Sequence, residues 1–297
     1  MDLLGDQCFH RLRFRKDIIR QLCNFLQPDL QSQTWLRLAL SIATKLTIAL
    51  NFYTTGSFQS ATVDISNISQ FAAHHSIRQV TDAFYKRRDY ISFPMSREKQ
   101  LEWQTGFVRI AGFPRVQSTI DCTHVALRVP QNNPEMFRNH KGFHTLNVLV
   151  CNHHRKIMAV DVRYPGSNHD AFLLRQTGVP GVFVTLHAAQ QAYNDAHSAT
   201  RCIIEQCIRI LKQRFRCLDR SGRVLQYSLK QVSLFVVVCC MLHNLAIMRA
   251  QPLEDEPPVP PEEEDEEEAP SGFAMPSIQS YHHHRQFLKI EENLLPL

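Results

Sequence analysis

The sequence has no Cys-x-x-Cys pair, although it holds nine cysteines. Their odd number and scatter exclude a disulfide framework or a structural zinc ribbon as the organising device of a chain of 297 residues. They read as buried thiols of a reducing compartment. The first residues, MDLLGDQCFHRLRFRKD, carry acids early and lack the apolar h-region of a secretory signal. Long hydrophobic runs are also missing. The longest, Val232 to Leu242, has eleven residues and is interrupted by Ser233, against the ~20 needed to span a bilayer. These absences predict a soluble intracellular protein with no membrane segment.

Charge is distributed unevenly. Residues 253 to 268 hold ten acids and no Lys or Arg. The body, residues 1 to 252, therefore carries 31 basic against 16 acidic residues, a net of +15 that the whole-chain value of +5 conceals. A body this basic has a polyanion as its natural partner, and DNA is the expected one. A purely solubilising surface is the competing reading.

The chain divides into three parts. Residues 1 to 95 read as helical, with Trp35, Leu38, Ile42, Leu46 and Leu50 at helical spacing. Asp64 to Gln70 is a short helix candidate, and His75 to Tyr90 is a basic helix after it. Two short helices of this kind fit either a helix-turn-helix on DNA or a helical cap on the next domain, and no turn glycine decides between them. Residues 96 to 250 alternate strand and helix. Val116–Val129, Phe143–Cys151 and Ile157–Tyr164 are β-rich, the last two forming a hairpin around Asn152-His-His-Arg-Lys. Helices are expected over Asp170–Gln176, Ala196–Leu218 and Leu229–Met248. The predicted class is α/β, a mixed sheet with flanking helices behind an all-α N-terminal region. Residues 251 to 297 form an acidic, Pro-rich tail expected to be largely disordered. Its His282-His283-His284 run reads as incidental.

Two acids stand out. Asp121 interrupts a β-rich run between Ile120 and Cys122, where a carboxylate is poorly suited unless something such as a metal compensates. Glu205 falls on the long helix. At 100° per residue, Arg201, Arg209, Lys212 and Arg216 lie within about 40° of it, and the apolar stripe of Ile204, Ile208, Leu211, Phe215 and Leu218 lies about 100° away. This face is either a solvated salt-bridge ladder or a metal-ligand carboxylate inside a phosphate-binding surface.

An ordered series of motifs goes further. It runs Ile120-Asp-Cys-Thr-His-Val, Lys141-Gly-Phe-His-Thr-Leu-Asn-Val, Tyr164-Pro-Gly-Ser-Asn-His-Asp, Tyr193-Asn-Asp-Ala-His-Ser-Ala-Thr-Arg-Cys-Ile-Ile-Glu, Leu211-Lys-Gln-Arg-Phe-Arg-Cys-Leu and Met241-Leu-His-Asn. The series resembles the Harbinger transposase-derived nucleases, domesticated relatives of the PIF/Harbinger DDE transposases. Thr54-Thr-Gly-Ser-Phe-Gln and Ile91-Ser-Phe-Pro resemble that family's N-terminal region. The resemblance implies a ribonuclease-H-like fold and a nuclease that hydrolyses DNA phosphodiesters with Mg²⁺ or Mn²⁺. It implies Asp121, Asp170 and Glu205 as metal ligands. Lys141, His124 and His169 would lie nearby as phosphate or supporting contacts. It also implies a nuclear location, with the cytoplasm as a second one, and a Myb/SANT-type protein partner.

One interval departs from the family. Its members carry a strand with a Gly-Asp-Ser/Gly motif, whose aspartate is a further metal ligand, before the Tyr193 motif. Here Leu174 to Tyr193 contains no acid and is too short for that strand and its loop. Val182 to Thr185 could stand in as a strand, without a carboxylate. A catalytically impaired DNA- or partner-binding protein is therefore the alternative to an active nuclease.

Overall fold

The computed structural model describes residues 5–31, 40–56, 68–87, 91, 97–112, 116, 118–130, 133–139, 142–153, 155–167, 190–219 and 224–253. Among them are seven α-helices and three strands. The expected positions Trp35, Leu38, Asp64 to Asn67, His169, Asp170, Lys141, most of Leu174 to Tyr193 and the acidic tail lie outside the described residues.

The N-terminal region is built of α1 (Gly5–Leu12), α2 (Lys16–Leu30), α3 (Ile42–Thr55) and α4 (Gln70–Tyr85), and α5 (Arg97–Ala111) follows and packs on the long helix Gln190–Arg214. In α2 the buried residues Ile18, Leu22, Leu26 and Leu30 recur every fourth position and make one apolar stripe. Helix α3 starts where the Ser41 hydroxyl accepts the Thr44 N–H at 3.1 Å. It stops at Gly56, whose φ of 64° is the left-handed conformation that glycine adopts at least cost. The Ser69 side chain caps α4 through the Ala72 N–H. This cap sets the helix start at Gln70, five residues before the His75 that charge and periodicity suggested.

Helices α2 and α4 are clasped by Asp29, which pairs with Lys86 and Arg87 beyond the end of α4. The Arg87 hydrogen bond leads the effects that hold the Asp29 carboxyl below the usual carboxylate range. Lys45 of α3 is buried and donates to the Leu30 carbonyl at 3.2 Å, and its burial lowers its pKa.

The sheet is antiparallel, in the order β1 (Thr119–Ala126), β2 (Thr145–His153), β3 (Lys156–Pro165). The two hairpin strands and the first strand thus form within or close to the β-rich runs expected to carry them. Thr123, Val125, Leu146, Val148, Val160 and Val162 are buried. Pairing of Thr123 with Val148, Val125 with Leu146, and Val150 with Val160 puts these side chains on one face.

Helices α6 (Gln190–Arg214) and α7 (Leu229–Met248) pack on this sheet, α6 mainly on β1 and α7 on β3. The long helix was expected to reach Leu218. It ends at Arg214, and Arg216–Leu218 continues as a 3-10 turn.

Helix α7 spans Leu229–Met248 as expected, and by length and composition alone its 20 residues are long and apolar enough to cross a membrane. Here 78% of its most apolar window is buried inside the fold. Its apolar surface is covered by β3 and the N-terminal helices, as in the core helix of a water-soluble domain. The rings of Phe52 and Tyr53 on α3 meet Phe235 of α7 edge-on at 5.1 and 5.9 Å, and Tyr227 joins them. One continuous core therefore links the N-terminal helices to the sheet-bearing region.

Candidate active site

Helix α6 runs in the same sense as β1. At one end, Cys207 donates its thiol to the Arg155 carbonyl, in the β2–β3 turn beside the Thr119 end of β1. At the other, Lys212 Nζ donates to the His124 carbonyl at 3.0 Å. Glu205 lies before Cys207 and so toward the strand end that bears Asp121. Asp121 shares the face of Thr123 and Val125 by alternation, and α6 packs on β1.

Asp121 is half-buried, and its Oδ1 accepts the Cys122 N–H at 2.8 Å. Glu205 is exposed, and its Oε1 pairs with Arg201 Nε at 3.1 Å, one helical turn away. Arg209 is exposed on the same side, while Arg216 is exposed on the 3-10 turn beyond the helix end. Lys212 is half-buried against β1. The expected apolar stripe is present: Ile204, Leu211, Phe215 and Leu218 are buried, and Ile208 is half-buried. Asp170 and Lys141 lie outside the described residues, so the structure brings together two of the three expected acids' elements.

The donor chemistry fits a hard divalent cation, because Asp121 and Glu205 offer carboxylate oxygens from neighbouring elements. Among the described residues no three His, Cys, Asp or Glu side chains converge on one point.

Several motif residues turn out to hold the frame. His124 Nδ1 and the Thr145 hydroxyl are 3.1 Å apart, a diagonal pair across β1 and β2. Gly166 follows β3 and presses on the same threonine. A Cβ there would drive into the Thr145 hydroxyl and stand 2.7 Å from the Thr145 carbonyl and 2.8 Å from that of Phe137. Only glycine fits, which explains the Pro-Gly-Ser step ahead of Asp170.

His243 and Asn244 of α7, from the Leu-His-Asn motif, serve β3. Asn244 accepts the Ile157 N–H at 2.7 Å and donates to the Ile157 carbonyl at 2.6 Å. His243 Nε2 donates to the Arg155 carbonyl at 2.9 Å. Arg155 has φ of 63°, unusual for a non-glycine residue. Its side chain also donates to Gln206 of α6, so α6 and α7 together hold the turn. Burial is the main cause that lowers the His243 pKa to about 3, with the positive charge of Arg214 acting in the same direction. Sequence reasoning named this motif only as a family mark. A polar pair amid the apolar run Val232 to Leu245 was the available signal.

Comparisons with known proteins agree with this arrangement. A family described as "DDE superfamily endonuclease" matches residues 120–184 and 182–244. The curated protein "Putative nuclease HARBI1" of Rattus norvegicus is 34% identical over 275 residues, covering 83% of this chain and 79% of that protein. Its Homo sapiens counterpart is 33% identical with the same coverage. "Protein ALP1-like" of Arabidopsis thaliana is 20% identical over 268 residues, 73% of this chain and 64% of that protein. No solved structure matches.

One detail bears on the acid-free interval: the two family stretches meet at 182–184, inside it. With a relative this similar over most of both chains, and the endonuclease match spanning β1 to α7, this chain belongs to the Harbinger transposase-derived nuclease family, with a DDE superfamily endonuclease domain.

Proposed function

We propose that the chain is a divalent-metal-dependent nuclease that hydrolyses DNA phosphodiester bonds on a ribonuclease-H-like fold. The observation that carries this reading is the packing of the Glu205-bearing helix α6 on the Asp121-bearing strand β1, in the same sense. Asp121, Asp170 and Glu205 are the residues that would hold Mg²⁺ or Mn²⁺. When bound, the ion supplies charge stabilisation at phosphorus and lowers the pKa of an attacking water. Arg201 and Arg209 on the exposed side of α6, Arg216 after it, and Lys141 would bind flanking phosphates by charge. Arg201 pairs with Glu205 across one helical turn at 3.1 Å.

The N-terminal helices extend this reading as a DNA-binding, helix-turn-helix-like region. The exposed face of α4 presents Gln70, His74 and Arg78 at four-residue spacing, suited to base edges in a major groove. Action in the nucleus and a Myb/SANT-type partner complete the proposal as family-based expectations.

The test is cleavage of supercoiled plasmid with Mg²⁺ or Mn²⁺. Asp121→Ala and Glu205→Ala should each lower the rate by at least about 10²-fold, because misplacing a reacting group by an ångström already costs that much. DNA bound but never cut by the wild-type chain would defeat the enzyme reading. It would leave the alternative, a catalytically impaired DNA- or partner-binding protein. The acid-free interval, and the break in the family match within it, support that second reading.

A further inference from the structure

The chain leaves α7 along a fixed path. Gln251 is buried, and its N–H donates to the Ala246 carbonyl at 2.8 Å. Its side-chain oxygen accepts the Arg15 N–H at 3.2 Å, and Arg15 Nη2 donates to the Ala250 carbonyl at 3.3 Å. Arg214 Nη2, at the end of α6, donates to the Gln251 carbonyl at 2.8 Å. Ala250 takes a φ of 45°, rare for a residue with a Cβ, and Leu253 is buried again. Residues 250 to 253 are therefore seated where α2 begins and α6 ends.

The surface beside this seat is basic. Arg11, Arg15 and Arg20 are exposed, and Lys16 is half-buried. Lys16 follows Arg15 directly and opens α2, and Arg20 stands one turn further along the same side of that helix. Arg11 lies in the last turn of α1, just before the bend at Arg13. Between His10 and Arg20 the one acid is Asp17.

The residues that follow the seat carry the opposite charge. Ten acids and no Lys or Arg stand between 253 and 268, and Glu254, Asp255 and Glu256 come at once. A chain extends at most about 3.5 Å per residue, which keeps these three within about 10 Å of Leu253 and the other seven within about 50 Å. Covalent connection from a fixed seat thus presents many carboxylates to one basic turn. An exposed charge pair is worth little alone. A tethered series of them acts at an effective concentration on the order of millimolar.

We infer that the basic turn of Arg11, Arg15, Lys16 and Arg20 is a docking surface for the chain's own acidic segment, Glu254 to Glu268, which holds that surface from DNA. The consequence for DNA rests on the DNA-binding reading of the basic body, while the docking stands apart from it.

The experiment uses the full chain. A carbodiimide joins carboxylates to amines in contact with them, and peptide mass spectrometry locates the links. Docking predicts links from Lys16 to acids between Glu254 and Glu268 at low salt. They should vanish at about 1 M salt, where screening acts beyond about 3 Å. Arg20→Lys keeps the charge, puts an exposed amine on the surface, and should add a second link. In a mixture of isotope-labelled and unlabelled chains, the links should stay within chains of one label. With the ten acids changed to their amides, duplex DNA should bind about tenfold or more tighter at low salt, because a tethered competitor is gone. That gap should close as salt rises.

No link at Lys16 and none at position 20 of the Arg20→Lys variant would overturn the inference. Links only between differently labelled chains also overturn it, since they give the surface to a second copy. Equal DNA affinity of wild type and the amide variant overturns it as well. If neither binds DNA, the DNA-binding reading fails by itself, and the cross-links alone decide the docking.

Discussion

Helices α6 and α7 pack on one sheet and carry neighbouring motifs, yet they use their polar residues in opposite ways. Helix α7 is buried almost throughout, and its His243 and Asn244 are spent on the backbone of Arg155 and Ile157. Its contacts with β3 are in strict register. Ser233 bonds to the Val162 carbonyl and Asn244 to Ile157. Those eleven helical residues rise about 16 Å, the length of five strand residues. Helix α6 buries one stripe and leaves Arg201, Glu205 and Arg209 in solvent. A motif therefore marks constraint, and only burial tells whether the constraint is on folding or on chemistry. Four measurements can break or sharpen this contrast.

The largest effect belongs to His243. Its folded pKa, about 3, lies below the ordinary value near 6.5. The buried ring stays neutral while an unfolded chain takes up a proton as the pH falls through 6.5. Stability from this group is thus complete above pH 6.5 and is lost between there and pH 3. The loss is about 1.4 kcal/mol per pH unit, or roughly 4–5 kcal/mol over the window. Urea unfolding across this range should show that slope, and His243→Gln should flatten it. An unchanged slope in the variant would mean that α7 is not the acid-sensitive element.

Asn244→Ala should come next. It strips both partners from the buried Ile157 peptide groups, at about 1–3 kcal/mol for each group left unsatisfied. A thermal midpoint equal to wild type would remove α7 from its structural role.

Gly166→Ala should cost about 1–3 kcal/mol from overpacking against Thr145 and Phe137. Calorimetry checks it.

The smallest effect is expected on α6. Arg201→Ala removes an exposed pair spaced four residues apart and should change stability by no more than about 0.5 kcal/mol, while weakening DNA binding at low salt. A destabilisation approaching that of Asn244→Ala would erase the difference between the helices.

Much of the frame was legible beforehand because period and chemistry coincide in it. β-rich runs located the three strands, the apolar stripe beside Glu205 located α6, and the strongly apolar stretch Leu229–Met248 located α7. Boundaries were less legible where a single side chain decides them. Ser69 moved the start of α4, and the break after Arg214 shortened α6. For the candidate site, Asp121 was visible as a carboxylate in a β-run and Glu205 as an acid among cations. The inward turn of Lys212 was not visible, because helical angle places it with Arg201 and Arg209. Which side of a half-buried stripe a lysine takes depends on the neighbour it finds.

The sequence by itself determined the family, the order of the elements, and the absence of any acid between Leu174 and Tyr193, since these are properties of residue type and spacing along the chain. Only the tertiary structure decided that α6 runs with β1, that α7 is core, and that Lys212, Thr145, Gly166, His243 and Asn244 hold the frame. Those roles depend on carbonyls, hydroxyls and side chains dozens of residues away in sequence, and a one-dimensional pattern carries no information about which distant group will be the partner.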